Sequence, residues 1–147
     1  MPANTSPVYG LSGVIGSVLV TAANTSSQGG GTIATDIFLV KTLGSNGSFL
    51  RGVIWLPTAT TPTTTTGTVG RVFLSTQSSS TTTSSNTWLL GEITLPAIAA
   101  DNASTGVPPL IVPLGFSVPT GYSILVTNHA APAANTAWRA NLIGSDF

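Results

Sequence analysis

Apolar residues in this chain occur in short runs that are separated by Gly, Pro, Asn and Ser. The clearest run is Leu110–Val118, where Leu110, Val112, Leu114 and Phe116 occupy every second position. A period of two places side chains on one face of a β-strand. No segment shows the 3.6-residue apolar period of a helix, and ten prolines and sixteen glycines oppose helix formation. The pattern therefore predicts an all-β protein.

The runs predict eight short strands, each ended by a turn-forming residue. They are Val14–Thr21, Thr32–Thr42, Ser48–Thr60, Thr68–Thr76, Thr87–Leu95, Leu110–Val118, Ser123–Asn128 and Ala137–Ile143. Regularly spaced short strands are typical of β-sandwiches, and a jelly roll has eight strands in two sheets. We therefore predict an eight-stranded antiparallel β-sandwich of jelly-roll type over residues 13–147. Residues 1–12, which include Pro2 and Pro7, are predicted to form an extended N-terminal arm.

The middle of the chain predicts a hairpin whose two strands carry opposite charges. If Thr76 lies opposite Thr87, a constant register places Arg71 opposite Glu92. A cross-strand pair of this kind contributes roughly 0.2–1 kcal/mol and opposes slippage of the register. We interpret Arg71 and Glu92 as a structural pair. The Ser/Thr-rich connection Gln77–Asn86 has no apolar side chain to bury, so we expect it to be solvated and mobile.

Charge is scarce in this chain. Charged residues make up 5% of the 147 residues, and the net charge is zero; a typical protein has about 25% charged residues. A neutral Ser/Thr/Asn/Gly surface suits a protein that is covered by partners or displayed on a large assembly. Four Lys/Arg residues are too few for the basic patch that nucleic acid or an anionic membrane requires. We therefore expect neither of these as a partner.

The N-terminal region does not predict a signal peptide or a membrane anchor. The apolar run Leu11–Val20 follows a segment without Lys or Arg, and Gly13 and Gly16 interrupt it. No run approaches the ~20 apolar residues of a membrane span. Cysteine is absent, which excludes disulfides and thiolate metal sites.

No motif in the sequence predicts catalysis, a cofactor or a metal. His129 is the single histidine, so a multi-histidine metal site is excluded, and the Gly-x-Ser-x-Gly motif of serine hydrolases does not occur. The acidic residues are Asp36, Glu92, Asp101 and Asp146. No local spacing pairs them for glycoside chemistry, and Glu92 is expected to be occupied by Arg71. We therefore expect a protein that is not an enzyme.

The three tryptophans, Trp55, Trp88 and Trp138, each lie within an apolar predicted strand. This position favours a place in the core or in a subunit interface over a sugar-binding platform on an exposed loop.

Several short segments resemble small virion proteins of tailed bacteriophages, the capsid decoration or cement type. The segments are Ala22–Thr25, Gly30–Thr32, Gly70–Leu74, Leu89–Ile93, Pro119–Leu125 and the closing Asn141–Asp146. The departures from the pattern are the long Ser/Thr loops Thr58–Thr68 and Gln77–Asn86 and the Pro/Ala-rich Pro96–Pro109. These departures leave room for a different virion role, such as a fibre or tail component.

The resemblance implies a trimeric β-sandwich on the outer capsid surface, made in the host cytoplasm and bound to the major capsid protein where capsomers meet. It implies no catalytic residues. As contacts to other subunits or to the capsid we predict Val8 and Tyr9 in the arm, Trp138 in the last strand and the terminal Phe147. Two alternatives remain open. One is a jelly-roll receptor- or carbohydrate-binding domain of a fibre, and the other is a β-sandwich hydrolase that uses His129.

Overall fold

The structure, a computed structural model, describes residues 12–100 and 108–147, and these residues form strands and no helix. The all-β prediction is therefore confirmed for this part of the chain. The strands are β1 Ser12–Val20, β2 Gly31–Thr32, β3 Phe38–Thr42, β4 Ser48–Ala59, β5 Thr63–Thr64, β6 Thr68–Ser75, β7 Thr81–Thr82, β8 Thr87–Leu95, β9 Ala99–Ala100, β10 Leu110–Val118, β11 Ser123–Asn128 and β12 Thr136–Asp146.

The longer strands form two four-stranded antiparallel sheets. Sheet A has the order β1-β12-β4-β10 and sheet B has the order β3-β11-β6-β8. Residues from both sheets share one apolar core, which is the arrangement of a β-sandwich. The largest core side chains are Trp55 and Trp138 from sheet A, which meet Val72, Ile124 and Val126 from sheet B.

The two-residue strands lie in the connections and form two small ladders, β2 with β7 and β5 with β9. The sequence pattern does not predict them, because a two-residue ladder of Gly, Thr and Ala has no alternation to detect. The predicted strand Thr32–Thr42 is interrupted, and only Phe38–Thr42 belongs to sheet B. The interruption is a turn in which Ala34 has a φ of 70°, outside the strand region.

The edge position of β10 agrees with its proline. Pro113 lies on an edge strand and beside a bulge, the two places where a sheet tolerates proline. The register with β4 shifts between Pro113 and Phe116, where Gly115 has a φ of 74°. Pro lacks the backbone N–H that a second neighbouring strand would need, and Gly tolerates the positive φ of the bulge.

The outer face of sheet B is covered by the chain's own loops. Ile37, Phe73 and Leu125 form a second buried cluster on this face. The loop that carries β2 lies over it, since a Cβ added at Gly29 would meet the Phe73 ring at 3.3 Å. Part of the outer face of sheet B is therefore buried and forms a small second core.

The Ser/Thr-rich connection contributes to this cover. The expectation that Gln77–Asn86 is fully solvated is wrong, because Thr82 is buried and its Oγ1 donates a hydrogen bond to the Gly31 carbonyl at 3.2 Å. Hydroxyl side chains can lie over an apolar cluster when their polar atoms find backbone partners. Only the tertiary fold supplies those partners.

The predicted N-terminal arm falls almost entirely outside the described residues. Residues 1–11 are not described, and Ser12 is the first residue of β1, opposite Asp146 of β12. The division into an arm and a sandwich domain remains a prediction.

Two tryptophan truncations should differ strongly in their effect on stability. Trp138 is 0% exposed in the core and Trp88 is 45% exposed on β8. We expect Trp138→Ala to lower the free energy of unfolding by about 3–5 kcal/mol and Trp88→Ala by about 1 kcal/mol. Urea denaturation followed by far-ultraviolet circular dichroism measures both. Equal losses would contradict the assignment of Trp138 to the core.

Candidate interaction surface

The outward-facing side of sheet A exposes aliphatic side chains, and we name this surface the outer aliphatic face. Its residues are Ile15 and Leu19 of β1, Ile143 of β12, Ile54 and Leu56 of β4, and Ile111 of β10. Ile15 is 78% exposed, Ile111 is 50% exposed and Ile143 is 38% exposed. Contiguous exposed apolar surface on a folded protein marks an interaction site more often than chance.

The register of the sheet makes this surface continuous. Ile15 lies opposite Ile143, and Ile54 lies opposite Ile111. The neighbours of these isoleucines in the sequence, such as Val14 before Ile15 and Leu142 before Ile143, point into the core. These strands therefore carry apolar side chains on both faces, with Ser17 and Asn141 in the same outward row as Ile54 and Ile111, and the described residues provide no cover for the outer face.

A notch interrupts the outer aliphatic face at Gly52. Gly52 is paired with Ile143 on one side and Pro113 on the other, and it has no side chain to fill the space between them. The notch has a volume of about 220 Å³ and is lined by Arg51, Gly52, Ile54, Ile111 and Ile143. A Cβ at position 52 would lie 2.8 Å from the Val112 carbonyl oxygen, so the backbone itself requires glycine here.

The charges on this surface are both positive. Arg51 is exposed at the bulge of β4, next to the notch. Arg139 lies opposite Leu19 and Leu56, and its Nη1 donates a hydrogen bond to the Ser17 hydroxyl at 3.1 Å. Among the described outward-facing residues of sheet A there is no Asp or Glu.

The acidic residue on these strands that lies nearest to the outer aliphatic face has a partner away from it. Asp146, at the end of β12, accepts a hydrogen bond from the Ser48 hydroxyl and lies against Gly44. The outer aliphatic face therefore combines apolar side chains with two guanidinium groups that lack a carboxylate partner among the described residues.

The contact residues predicted from the sequence fall in different places. Val8 and Tyr9 lie outside the described residues. Trp138 is fully buried in the core of the single chain, and its contact with a partner stays a prediction. Phe147 is half-buried, and its backbone N–H donates to the Gly47 carbonyl at 3.1 Å, which holds the end of the chain against a turn.

Sequence reasoning missed the isoleucines of the outer aliphatic face. The available signal was the apolar pairs Val14-Ile15, Val53-Ile54 and Leu142-Ile143, which place one residue on each face of a strand. Such pairs predict burial on both faces. Here the second residue of each pair is at least partly exposed.

The structure pairs Arg71 with Glu92 across β6 and β8. Thr76 does not lie opposite Thr87, as assumed in the sequence analysis; Ser75 does. A bulge at Leu90 of β8, opposite the step from Phe73 to Val72, compensates the shift, so that Thr68–Val72 of β6 pair with β8 in the expected register. Strand bulges of this kind leave no signal in the apolar pattern.

Arg71 connects four parts of the chain. Its Nε lies 2.5 Å from Glu92 Oε1, and Nη1 lies 3.4 Å from the Asn24 carbonyl oxygen. Both terminal nitrogens lie 3.4 Å from His129 Nδ1. Arg71 is only 7% exposed, because the loop after β1 passes over it. The guanidinium therefore links β6, β8, this loop and the end of β11.

The surroundings of His129 do not include a carboxylate partner among the described residues; its ring contacts the Arg71 guanidinium. In the same part of the chain, no group of three or more His, Asp or Glu side chains is placed to hold a metal ion. The described residues also include no helix that is long and apolar enough to span a membrane.

The tryptophans separate into two groups. Trp55 and Trp138 are fully buried in the core, whereas Trp88 is 45% exposed on the edge strand β8. The Trp88 ring centroid lies 6.3 Å from that of Tyr122, and the ring planes are inclined by 53°. The pair is a tilted aromatic contact, not a flat platform.

Comparison with known proteins does not assign the chain to a family. No protein-family model, no curated protein and no solved structure matches it. Its function must therefore be argued from the residues and from the geometry described above.

A double-mutant cycle tests the role of Arg71. We expect Arg71→Met and Glu92→Gln to show a coupling energy of about 1 kcal/mol in urea denaturation, because the pair is in contact and partly buried. The control cycle replaces Lys41, on β3, with Met and combines it with Glu92→Gln; we expect no coupling there. Zero coupling between Arg71 and Glu92 would show that the ion pair does not stabilise the hairpin.

Proposed function

We propose that this chain is a non-enzymatic structural protein of a bacteriophage virion. In this role it is a capsid cement or decoration protein that binds the major capsid protein on the outer surface, where capsomers meet, and stabilises the shell. The observation that carries the proposal is the outer aliphatic face, which a free monomer would leave in water. The resemblance of short segments to cement proteins supports the identity of the partner.

The proposed fold is an eight-stranded jelly roll. With the eight longer strands numbered alone in chain order, sheet A reads 1-8-3-6 and sheet B reads 2-7-4-5. The first strand thus pairs with the last, and successive strands move between the sheets except at 4 and 5. Two interleaved Greek keys produce an order of this kind, which supports the jelly roll.

The physical properties of the surface suit cementing. Each copy offers a modest apolar contact, and many copies on a shell that already fixes their geometry add their binding through effective concentration. Only 5% of the residues are charged, so the surface as a whole changes little with ionic strength. A homotrimer, proposed by analogy, would multiply the contacts made at one site.

Imaging of intact particles by electron cryomicroscopy tests the proposal. We expect density for the chain on the capsid exterior, with Ile15, Ile111 and Ile143 at the contact. We expect Ile143→Asp to lower occupancy at least about tenfold, because burial of an isoleucine contributes about 1.5–3 kcal/mol and a carboxylate in its place must be desolvated at the contact.

The matched control is Leu89→Asp, which changes an apolar residue of similar exposure on the outer side of sheet B. We expect it to leave occupancy unchanged when both variants have the same melting temperature. Density on the tail, or no density on any particle, would reject the cement role.

A second candidate function is a receptor- or carbohydrate-binding domain of a fibre, and the exposed Trp88 beside Tyr122 favours it. Trp55 and Trp138 are buried, so a change in tryptophan fluorescence on addition of a glycan would report mainly on Trp88. For the cement role we expect no such change in a glycan screen, and we expect Trp88→Ala to retain particle binding. A saturable change that Trp88→Ala abolishes would favour the fibre domain instead.

A further inference from the structure

The charges of the outer aliphatic face restrict the chemistry of its partner. Arg51 and Arg139 are two of the four Lys/Arg residues of the chain, and both lie on this face. Arg51 lies on β4 and Arg139 lies on the neighbouring strand β12, opposite Leu56 of β4. Arg51 precedes Leu56 by five positions, so at about 3.3–3.4 Å per residue roughly 17 Å of β4 backbone separates Arg51 from the level of Arg139.

A guanidinium that is covered by a partner needs an acceptor. Arg139 has the Ser17 hydroxyl at 3.1 Å, and no salt bridge involves either arginine among the described residues. If an apolar surface without acceptors covered them, Arg51 would lose its hydration without compensation, and Arg139 would keep the Ser17 hydroxyl as its compensating acceptor. A partner that presents carboxylates would instead form charge-assisted hydrogen bonds.

A second copy of the same face is a poor partner for the same reason. Two such faces packed together would bring four arginines into one interface and, among the described residues, no Asp or Glu. Like charges across an interface oppose binding. The outer aliphatic face is therefore complementary to a different surface and not to itself.

The notch at Gly52 adds a position for one apolar side chain. Its walls are Ile54, Ile111 and Ile143, and Arg51 lies at its rim. An apolar side chain that enters beside a guanidinium is accompanied most favourably by a carboxylate on the partner. Anchors of this kind, a buried apolar group within a polar rim, carry much of the energy of protein interfaces.

We propose that the outer aliphatic face docks on a protein surface that presents an apolar side chain flanked by two carboxylates. The apolar side chain enters the Gly52 notch, and the carboxylates pair with Arg51 and Arg139. The inference rests on the proposed function, because it specifies the chemistry of the capsid surface that would receive this face.

The test uses the full chain and surfaces of defined chemistry. Binding is measured by surface plasmon resonance on a mixed monolayer of alkyl and carboxylate end groups and on a matching monolayer of alkyl and ammonium end groups. We expect the wild-type chain to bind the carboxylate monolayer at least about tenfold more tightly. This preference should weaken with salt as the Debye length falls from about 10 Å at 0.1 M to about 3 Å at 1 M.

Charge reversals locate the contact. Arg51→Glu and Arg139→Glu should each weaken binding to the carboxylate monolayer at least about fivefold, whereas Lys41→Glu, with the same change of net charge on β3, should leave it within about twofold. Arg51→Lys should retain most of the binding. Thermal unfolding by circular dichroism establishes that the variants are folded. Equal binding to both monolayers, or an equal loss with Lys41→Glu, would overturn the inference.

Three further outcomes distinguish this inference from the proposed function. If sedimentation shows that Arg51→Glu changes the oligomeric state, the face joins copies of the chain and the inference is wrong. If the monolayers show the expected dependence on Arg51 and Arg139 but no particle carries the chain, the cement role fails and the inference stands. If particles carry the chain and the charge reversals leave occupancy unchanged, the cement role stands and the inference fails.

Discussion

A β-strand presents two faces, and a sandwich buries only one of them in its central core. In this chain several strands are apolar on both faces, so the second face must be accommodated in some other way. The two sheets differ in how this is achieved. The outer cluster of Ile37, Phe73 and Leu125 on sheet B is covered by loops of the same chain, whereas Ile15, Ile111 and Ile143 on sheet A remain in contact with solvent. The location of the candidate interaction surface follows from this difference.

The cover on sheet B depends on polar contacts as well as on apolar ones. Arg71 lies beneath the loop after β1 and keeps its charge balanced through Glu92, with the Asn24 carbonyl as a further acceptor. Thr82 reaches the Gly31 carbonyl, and Asp36 Oδ1 accepts a hydrogen bond from the Thr32 N–H at 2.6 Å. A polar group that is buried without a partner costs free energy, so these bonds allow Ser/Thr-rich loops to lie on an apolar cluster. The ion pair between Arg71 and Glu92 is therefore part of the cover on sheet B.

The exposed face of sheet A supports a role in assembly. Its isoleucines expose an apolar surface, its glycine notch forms a recess, and its two arginines are the groups that we propose to select a carboxylate-bearing partner. A protein with so few charges elsewhere has little else on its surface to select a partner by electrostatics. The cement role and the chemistry of its receptor are proposals that rest on this one face.

The sequence by itself determined the class of the fold and most of the long strands. Alternation in Leu110–Val118 and the turn residues between the runs are local signals, and the bounds of β8, β10 and β11 agree with the prediction. The edge position of Pro113 also follows from local chemistry, because its missing N–H is a property of the residue itself.

Only the tertiary structure decided which apolar face is covered and which residues carry the surface. Val14 and Ile15 are both β-branched apolar residues, but Val14 is buried because it faces the core and Ile15 is exposed because it faces solvent. The same holds for Trp138 and Trp88, and for the bulge that brings Arg71 opposite Glu92 although Ser75, not Thr76, lies opposite Thr87. The cover over sheet B, the register shifts and the burial of Thr82 arise from contacts between segments that are distant in the chain. A local pattern of residues therefore cannot predict them.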